Sequence, residues 1–181
     1  MHHFYMQAEL AIPFWPQFIW LYLSMYILFL VPPFVLQEAR LNKLGKELVL
    51  ATITSGIVFL LFPSVLGFER VLPENHYAQI YAKIFSLDYP HNMVPSLHIV
   101  YSGLILLAIF QATPSAVFKA ISLIWFVLIA LSTLWVHQHH IADIVSGIIV
   151  VSFFNHYTKE VAHDQRNRGY DFAADAADFG R

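Results

Sequence analysis

Apolar residues run in long blocks along most of the chain, and short polar stretches separate the blocks. An α-helix needs about 20 mainly apolar residues to cross a bilayer, and five blocks are close to that length. These blocks are residues 17–36, 48–66, 94–110, 116–136 and 141–157. Pro32 and Pro33 lie within the first block and should kink or end its helix. The pattern predicts an all-α fold, a polytopic membrane helix bundle with about five transmembrane helices, in one domain at residues 1–157.

A shorter apolar pattern lies in the long connection between the second and third blocks, residues 67–93. Its apolar residues recur at i, i+3, i+4, i+7 and i+8, which places them on one face of a helix. They are Tyr77, Ile80, Tyr81, Ile84 and Phe85. This segment is too short to span, so it predicts a helix lying at the membrane interface. A role in lipid entry and a plain connector packed on the bundle are the two open interpretations of this helix. Residues 158–181 are polar and predict a cytoplasmic tail.

Composition narrows the class of protein. Hydrophobic residues make up 58% of the chain and charged residues 12%, whereas soluble domains carry about 25% charged residues. This balance excludes a water-soluble domain and intrinsic disorder for most of the chain. The net charge of −2 and the lack of a basic cluster exclude a nucleic-acid binder. The chain contains no Cys, which excludes disulfides and thiolate metal sites. Nothing in the sequence indicates an oligomer.

Positive charge predicts the orientation, because Lys and Arg concentrate on the cytoplasmic side of membrane proteins. Eight of the ten Lys and Arg residues fall on one side of the predicted topology. They are Arg40, Lys43, Lys46, Lys119, Lys159, Arg166, Arg168 and Arg181. Only Arg70 and Lys83 fall on the other side. The prediction is an outer amino terminus and a cytoplasmic carboxyl terminus.

Ionisable residues at membrane depth are costly and usually functional, and here they gather at the predicted outer face. Arg70 follows the second block, His98 begins the third, and His139 and Asp143 begin the fifth. His139 and Asp143 are four residues apart and share a helix face, so the carboxylate can fix the imidazole tautomer. Pro95 suits the first turn of a helix, and the free amides beside Ser96 favour an anion. These features predict a phosphate-binding catalytic site.

Two other interpretations of the histidines stay open at this point. His137 and His140 can be polar anchors at the membrane interface, without a catalytic part. A metal site is the rival explanation for His137, His139, His140 and Asp143, because imidazole and carboxylate suit several metals. On one continuous helix these four side chains could not all face one ion, since residues two apart point in different directions.

The motif spacing resembles a known family. Pro95-Ser96-Leu97-His98, followed by Ser132 to Asp143, resembles the second and third motifs of the type 2 phosphatidic acid phosphatase superfamily. The family pattern is P-S-G-H, then S-R, five residues, H, three residues and D. Leu97 stands at the third position of the P-S-x-H motif. This Leu and the stretch from Gln138 to Gly147 are most similar to the inositol phosphorylceramide synthase branch. The resemblance covers about residues 63–147.

The resemblance implies a membrane lipid phosphatase or a lipid head-group phosphotransferase, with the active site at the outer membrane face. His139 would attack a phosphate to form a phosphohistidine, Asp143 would orient His139, and His98 would protonate the leaving alcohol. The implied substrate-binding residues are Arg70, Ser96, Pro95 and Leu97. No metal and no cofactor is implied, and the partners are a lipid phosphate and the bilayer.

The chain departs from the family pattern at three positions. The Lys of the first motif is Pro63, the Pro after Arg70 is Val71, and the Arg of the S-R pair is Thr133. Lys83 or His91 could replace the missing cations. The family core usually has six spans rather than five. The alternative function is therefore a catalytically degenerate member that binds lipid or serves as a subunit of a membrane assembly.

Overall fold

A computed structural model describes residues 1–157, and every regular element within them is a helix. The five principal helices are α1 (Ile19–Leu28), α3 (Glu38–Leu61), α5 (Leu97–Ala112), α6 (Ala116–Trp135) and α7 (Ile141–Tyr157). The short connecting helices are α2 (Pro32–Val35) and α4 (Ala78–Leu87). Two 3-10 helices, Gln7–Ala11 and Pro16–Phe18, precede α1. The prediction of an all-α fold is confirmed for this part of the chain. The predicted tail at 158–181 lies outside the described residues.

The first predicted span is broken in the structure. α1 has ten residues, a length of about 15 Å at 1.5 Å per residue. The chain turns after α1, and α2 begins at Pro32. Proline lacks the N–H that a helix interior needs, so Pro32 and Pro33 start a new helix rather than continue the old one. The sequence predicted that Pro32 and Pro33 would kink or end this helix, and the structure shows an end, with α1 finishing at Leu28 before the prolines.

The second predicted span begins ten residues too late. α3 starts at Glu38, so most of the predicted cytoplasmic loop at residues 37–47 is helical. This stretch is rich in good helix formers such as Glu, Ala, Leu and Lys. Lys43 and Glu47 form an i,i+4 ion pair of 3.7 Å on it, which adds a small support to the helix because Lys before Glu is the weaker order of such pairs.

Within residues 1–157, two helices are long and apolar enough to cross a membrane. α3 has 24 residues and α6 has 20, lengths of about 36 Å and about 30 Å. α5 and α7 are apolar but shorter. By length and composition the chain therefore fits a membrane protein.

α5 lies at the centre of the bundle. It packs against α1, α3 and α6, and its Val100, Leu104 and Ile105 are at most 2% exposed. α7 joins the same core through Val151 and Phe154. The N-terminal ends of α5 and α7 thereby lie side by side.

α4 and the amino-terminal segment, residues 1–16, cover one end of this bundle. Tyr81 of α4 is fully buried in a cluster with Ile19 and Tyr22 of α1 and with Val136. α4 is thus a helix packed on the bundle, which is the alternative that the apolar pattern left open. In the amino-terminal segment, Trp15 N–H donates to the Trp135 carbonyl at the end of α6, at 2.8 Å.

Candidate active site

His139 and Asp143 meet at the start of α7, as the i,i+4 spacing predicts. His139 Nδ1 lies 3.2 Å from Asp143 Oδ2. The same carboxylate oxygen accepts the backbone N–H of His140 at 2.7 Å. Because a carboxylate accepts, His139 Nδ1 carries the proton, and its Nε2 is left with a free lone pair. This is the tautomer that a nucleophilic imidazole needs.

The start of α5 brings His98 to the same place. Ser96 caps α5 by accepting the Ile99 N–H at 3.4 Å, and Ser96 N–H donates to the Asp143 carbonyl at 3.0 Å. His98 and His139 have ring centroids 5.7 Å apart. The Tyr22 ring stacks on His98 at 4.0 Å. His98 Nε2 is buried and has no hydrogen-bond partner among the described residues, which leaves it available to a bound molecule.

A cavity of about 490 Å³ joins the two histidines. His98 and His139 both line it, together with Asp88, His91 and Leu97. The remaining lining is largely apolar: Met25, Tyr26, Phe29, Phe59, Leu87, Met93 and Tyr101, with Asn92. A cavity with an apolar wall and a few convergent polar groups is typical of a binding site for an amphipathic ligand.

Arg70 does not line the cavity that His98 and His139 share. Its Nη1 donates to the Asp88 carbonyl at 2.5 Å, and its guanidinium lies 4.8 Å from the Phe85 ring centroid. Its Nε is buried without a partner among the described residues. Burial lowers the pKa of Arg70, and the nearby Asp88 acts in the opposite direction. The Tyr22 hydroxyl interacts with Asp88, so Asp88 connects Arg70 to the ring that stacks on His98.

The other predicted site residues have mainly local contacts. The sequence predicted Pro95 in the first turn of α5. In the structure Pro95 is buried and precedes the N-cap Ser96, so it lies before that turn. Thr133, at the family's Arg position, is fully buried. Its carbonyl accepts the N–H groups of Gln138 and His139 at 3.0 and 3.1 Å and so braces the turn that carries His139.

Sequence reasoning missed Glu9, which lies beside the catalytic-looking turn. Glu9 is 4% exposed, and its Oε2 accepts the Ile141 N–H at 2.8 Å and lies 3.2 Å from His140 Nδ1. Burial alone would raise the pKa of Glu9, but hydrogen bonds from Met6, Ile141 and His140 outweigh it and lower the pKa. The signal was available, since Glu9 is the one charged residue before Glu38.

His137 and His140 are held by protein contacts. His140 is 1% exposed, so it is not the interfacial anchor considered from the sequence. Burial lowers the pKa of His140, although Asp143 and Glu9 act in the opposite direction. His137 donates to the Ile12 carbonyl at 2.8 Å, and burial lowers its pKa as well. Within residues 1–157, no three His, Cys, Asp or Glu side chains form a group that could hold a metal ion.

The geometry therefore combines two close histidines, a carboxylate that orients one of them, and a partly apolar cavity. A family model described as the PAP2 superfamily matches residues 2–154. The chain belongs to the PAP2 superfamily, and this membership indicates a phosphatase-type enzyme. No curated protein and no solved structure matches the chain.

Proposed function

We propose that this protein is a membrane-embedded lipid phosphatase or head-group phosphotransferase that works through a phosphohistidine at the outer membrane face. The observation that carries the proposal is that His98 and His139 line one cavity, with His139 Nδ1 held by Asp143. The excess of Lys and Arg on the opposite side of the predicted topology supports the outer location. Five membrane-crossing segments are part of this proposal, and the first of them is the broken segment that contains α1 and α2.

The reaction has two steps. His139 Nε2 attacks phosphorus, forms a P–N bond and breaks the P–O bond to the leaving alcohol, which takes a proton from His98. His98 then removes a proton from water or from a lipid hydroxyl. The resulting oxygen nucleophile attacks phosphorus and breaks the P–N bond, which regenerates His139. Asp143 stabilises the imidazolium character of His139 in both steps.

The charges around the cavity favour a phosphodiester over a phosphomonoester. Two family cations are replaced by Pro63 and Thr133, and Asp88 adds a carboxylate to the cavity wall. A phosphodiester carries less negative charge and needs fewer cations. The resemblance to the inositol phosphorylceramide synthase branch supports transfer to a lipid alcohol rather than to water.

The test is turnover by purified protein in lipid nanodiscs. The substrates are phosphatidate, as a monoester, and a panel of glycerophospholipid diesters, each with and without diacylglycerol as the acceptor. We expect His139→Ala and His98→Ala to lose about 100-fold or more of the activity, the usual size of a general acid–base contribution. We expect a ³²P-labelled substrate to label the wild type and not His139→Ala. His76→Ala is the matched control, because His76 is exposed and contacts the Tyr77 ring.

Unchanged activity in both histidine variants would overturn the mechanism.

The same two replaced cations favour a second candidate, a degenerate member that binds lipid without turnover. A wild type that turns over no substrate but retains a lipid through detergent purification would support that candidate instead.

A further inference from the structure

Both ring nitrogens of His140 and the plane of its ring make contacts within the protein. Its Nδ1 lies 3.2 Å from Glu9 Oε2, and its Nε2 accepts the Gly67 N–H at 2.9 Å. Tyr5 stacks on one side, with centroids 4.6 Å apart. Phe68 also stacks on the ring, with centroids 4.4 Å apart. A ring with its edge and its stacking surface engaged in this way has little freedom to move.

The hydrogen bonds fix one form of this imidazole. A backbone N–H can only donate, so Nε2 of His140 carries a lone pair toward Gly67. The proton is therefore on Nδ1 and is donated to the Glu9 carboxylate. Glu9 in turn accepts N–H groups from Met6 and Ile141, at 2.9 and 2.8 Å. Glu9 and His140 form one buried unit with matched donors and acceptors.

This unit joins two segments that carry candidate substrate contacts. Gly67 is three residues before Arg70, on the loop that follows α3. His140 is next to His139, and its own N–H donates to the Asp143 carboxylate at 2.7 Å. A displacement of His140 would therefore shift the Arg70 loop and the His139–Asp143 pair together.

We propose that His140, held by Glu9, is a positioning residue that keeps the Arg70 loop and the His139 turn at a fixed separation. This inference rests on the proposed function, since it assigns a purpose to the separation of Arg70 and His139. His140 does not itself line the cavity that holds His98 and His139. Its effect on turnover is exerted through the groups that it holds.

The space at Gly67 supports a fixed arrangement. A Cβ atom there would lie 2.4 to 2.7 Å from carbon atoms of the Tyr5 ring, closer than atoms can approach. Gly67 thus lets Tyr5 cover His140 while the Gly67 N–H still reaches His140 Nε2. The amino-terminal segment, the Arg70 loop and the turn before α7 close on one imidazole.

The first test uses substitutions that separate stacking from hydrogen bonding. His140→Phe keeps a ring between Tyr5 and Phe68 but removes both hydrogen bonds. Since a misplacement of about 1 Å costs up to 100-fold in rate, we expect kcat to fall about tenfold or more. His140→Asn should recover part of this loss, because its amide nitrogen can replace Nδ1 as donor to Glu9. Glu9→Gln with His140→Phe should be no slower than His140→Phe alone, since both act through one unit.

His137→Phe is the matched control. His137 stacks on the same Phe68 ring, at 4.0 Å, and loses one hydrogen bond to the Ile12 carbonyl when replaced. Within residues 1–157, His137 makes no hydrogen bond to Gly67 or Glu9 that the substitution could remove. We expect its kcat to stay within about twofold of the wild type at matched folded concentration. A thermal shift in His140→Phe with unchanged kcat per folded molecule would overturn the inference, because it would show a purely structural contact.

A second measurement does not depend on turnover. ¹⁵N-histidine NMR of the detergent-solubilised protein reports which nitrogen of His139 carries the proton. We expect His140→Phe, and not His137→Phe, to reduce the Nδ1-protonated form of His139. If the His139 signal is unchanged in His140→Phe, the inference is overturned, whether or not the wild type turns over lipid. If that signal changes while the wild type turns over no lipid, the proposed function fails and the positioning of His139 by His140 stands.

Discussion

Three histidines in four positions precede α7, and each meets a different partner. His137 donates to a backbone carbonyl, His139 donates to Asp143, and His140 lies between Glu9 and Gly67. Burial lowers the pKa of both His137 and His140. The folded protein therefore holds these two rings neutral, and protonation works against the contacts that position them.

The lowered pKa values predict loss of stability in mild acid. An unfolded histidine binds a proton near pH 6.5, whereas the folded His140 binds it only at lower pH. Below about pH 6.5 the unfolded state thus holds more protons, and the free energy of unfolding falls as the pH falls. We expect the thermal midpoint in detergent to drop between pH 7.5 and pH 5. His140→Phe should show a lower midpoint at pH 7.5 but a shallower drop, and an equal slope would contradict this assignment.

At the scale of helices, one close approach places the two halves of the site together. Gly147 of α7 faces α5, where an added Cβ would lie 2.8 Å from Ile99 Cβ and 3.1 Å from the Ser96 carbonyl oxygen. This approach allows Ser96 N–H to reach the Asp143 carbonyl at 3.0 Å. The separation of His98 and His139 therefore depends on the absence of a side chain at position 147.

Gly147→Ala should push α5 and α7 apart by a few tenths of an ångström or more, and so lower both stability and kcat. Gly56→Ala is the matched control, since Gly56 lies in α3 and nothing is within 4 Å of an added Cβ there. Alanine is favoured over glycine in a helix by about 0.5–1 kcal/mol, so Gly56→Ala should be neutral or stabilising. Thermal unfolding and turnover of the two variants check this. Equal behaviour of both would show that α5 and α7 do not depend on Gly147 for their approach.

At the scale of the whole molecule, the site lies at one end of the bundle, beneath α4 and the amino-terminal segment. α3 and α6 have the length of membrane spans. One end of α3 is positively charged and the other is apolar. Arg40, Lys43 and Lys46 lie in its first turns, while its last turns are apolar. The excess of positive charge at the start of α3 favours a cytoplasmic location for that end.

The proposed orientation predicts which residues a membrane-impermeant maleimide can reach in intact cells. The chain has no Cys, so the wild type is an unlabelled background. Glu74→Cys, before α4, should react from outside, whereas Arg40→Cys should react only after the membrane is permeabilised. Both positions are exposed. The reverse pattern would invert the topology and place the site on the cytoplasmic side.

The sequence predicted the elements whose determinants are local. The bounds of α6 and α7 agree with the apolar blocks to within a residue, because the polar residues 137–140 separate them. The i,i+4 spacing of His139 and Asp143 was enough to pair them. The start of α3 was missed because its first turns are polar, and a hydrophobic window registers only the apolar part of a helix. The break before Pro32 could be located, but a kink and a true end look alike in sequence.

The contact between Glu9 and His140 could not be derived from spacing. The two residues are 131 positions apart, and the path between them depends on how the amino-terminal segment lies over the bundle. The lone carboxylate of Glu9 in an apolar stretch could have indicated a buried partner, but not which residue that partner is. Arg70 shows the same limit, since its motif position predicted a phosphate contact and the structure has it bound to the Asp88 carbonyl.

The amino-terminal segment has a practical consequence for work on this protein. His2 N–H donates to the Pro63 carbonyl at 2.7 Å, and Val65 N–H donates back to the His2 carbonyl at 3.1 Å. The second residue of the chain is thus fastened to the same loop that leads to Gly67 and Arg70. An affinity tag or fusion partner next to His2 would disturb these two hydrogen bonds and, through the loop, the candidate site.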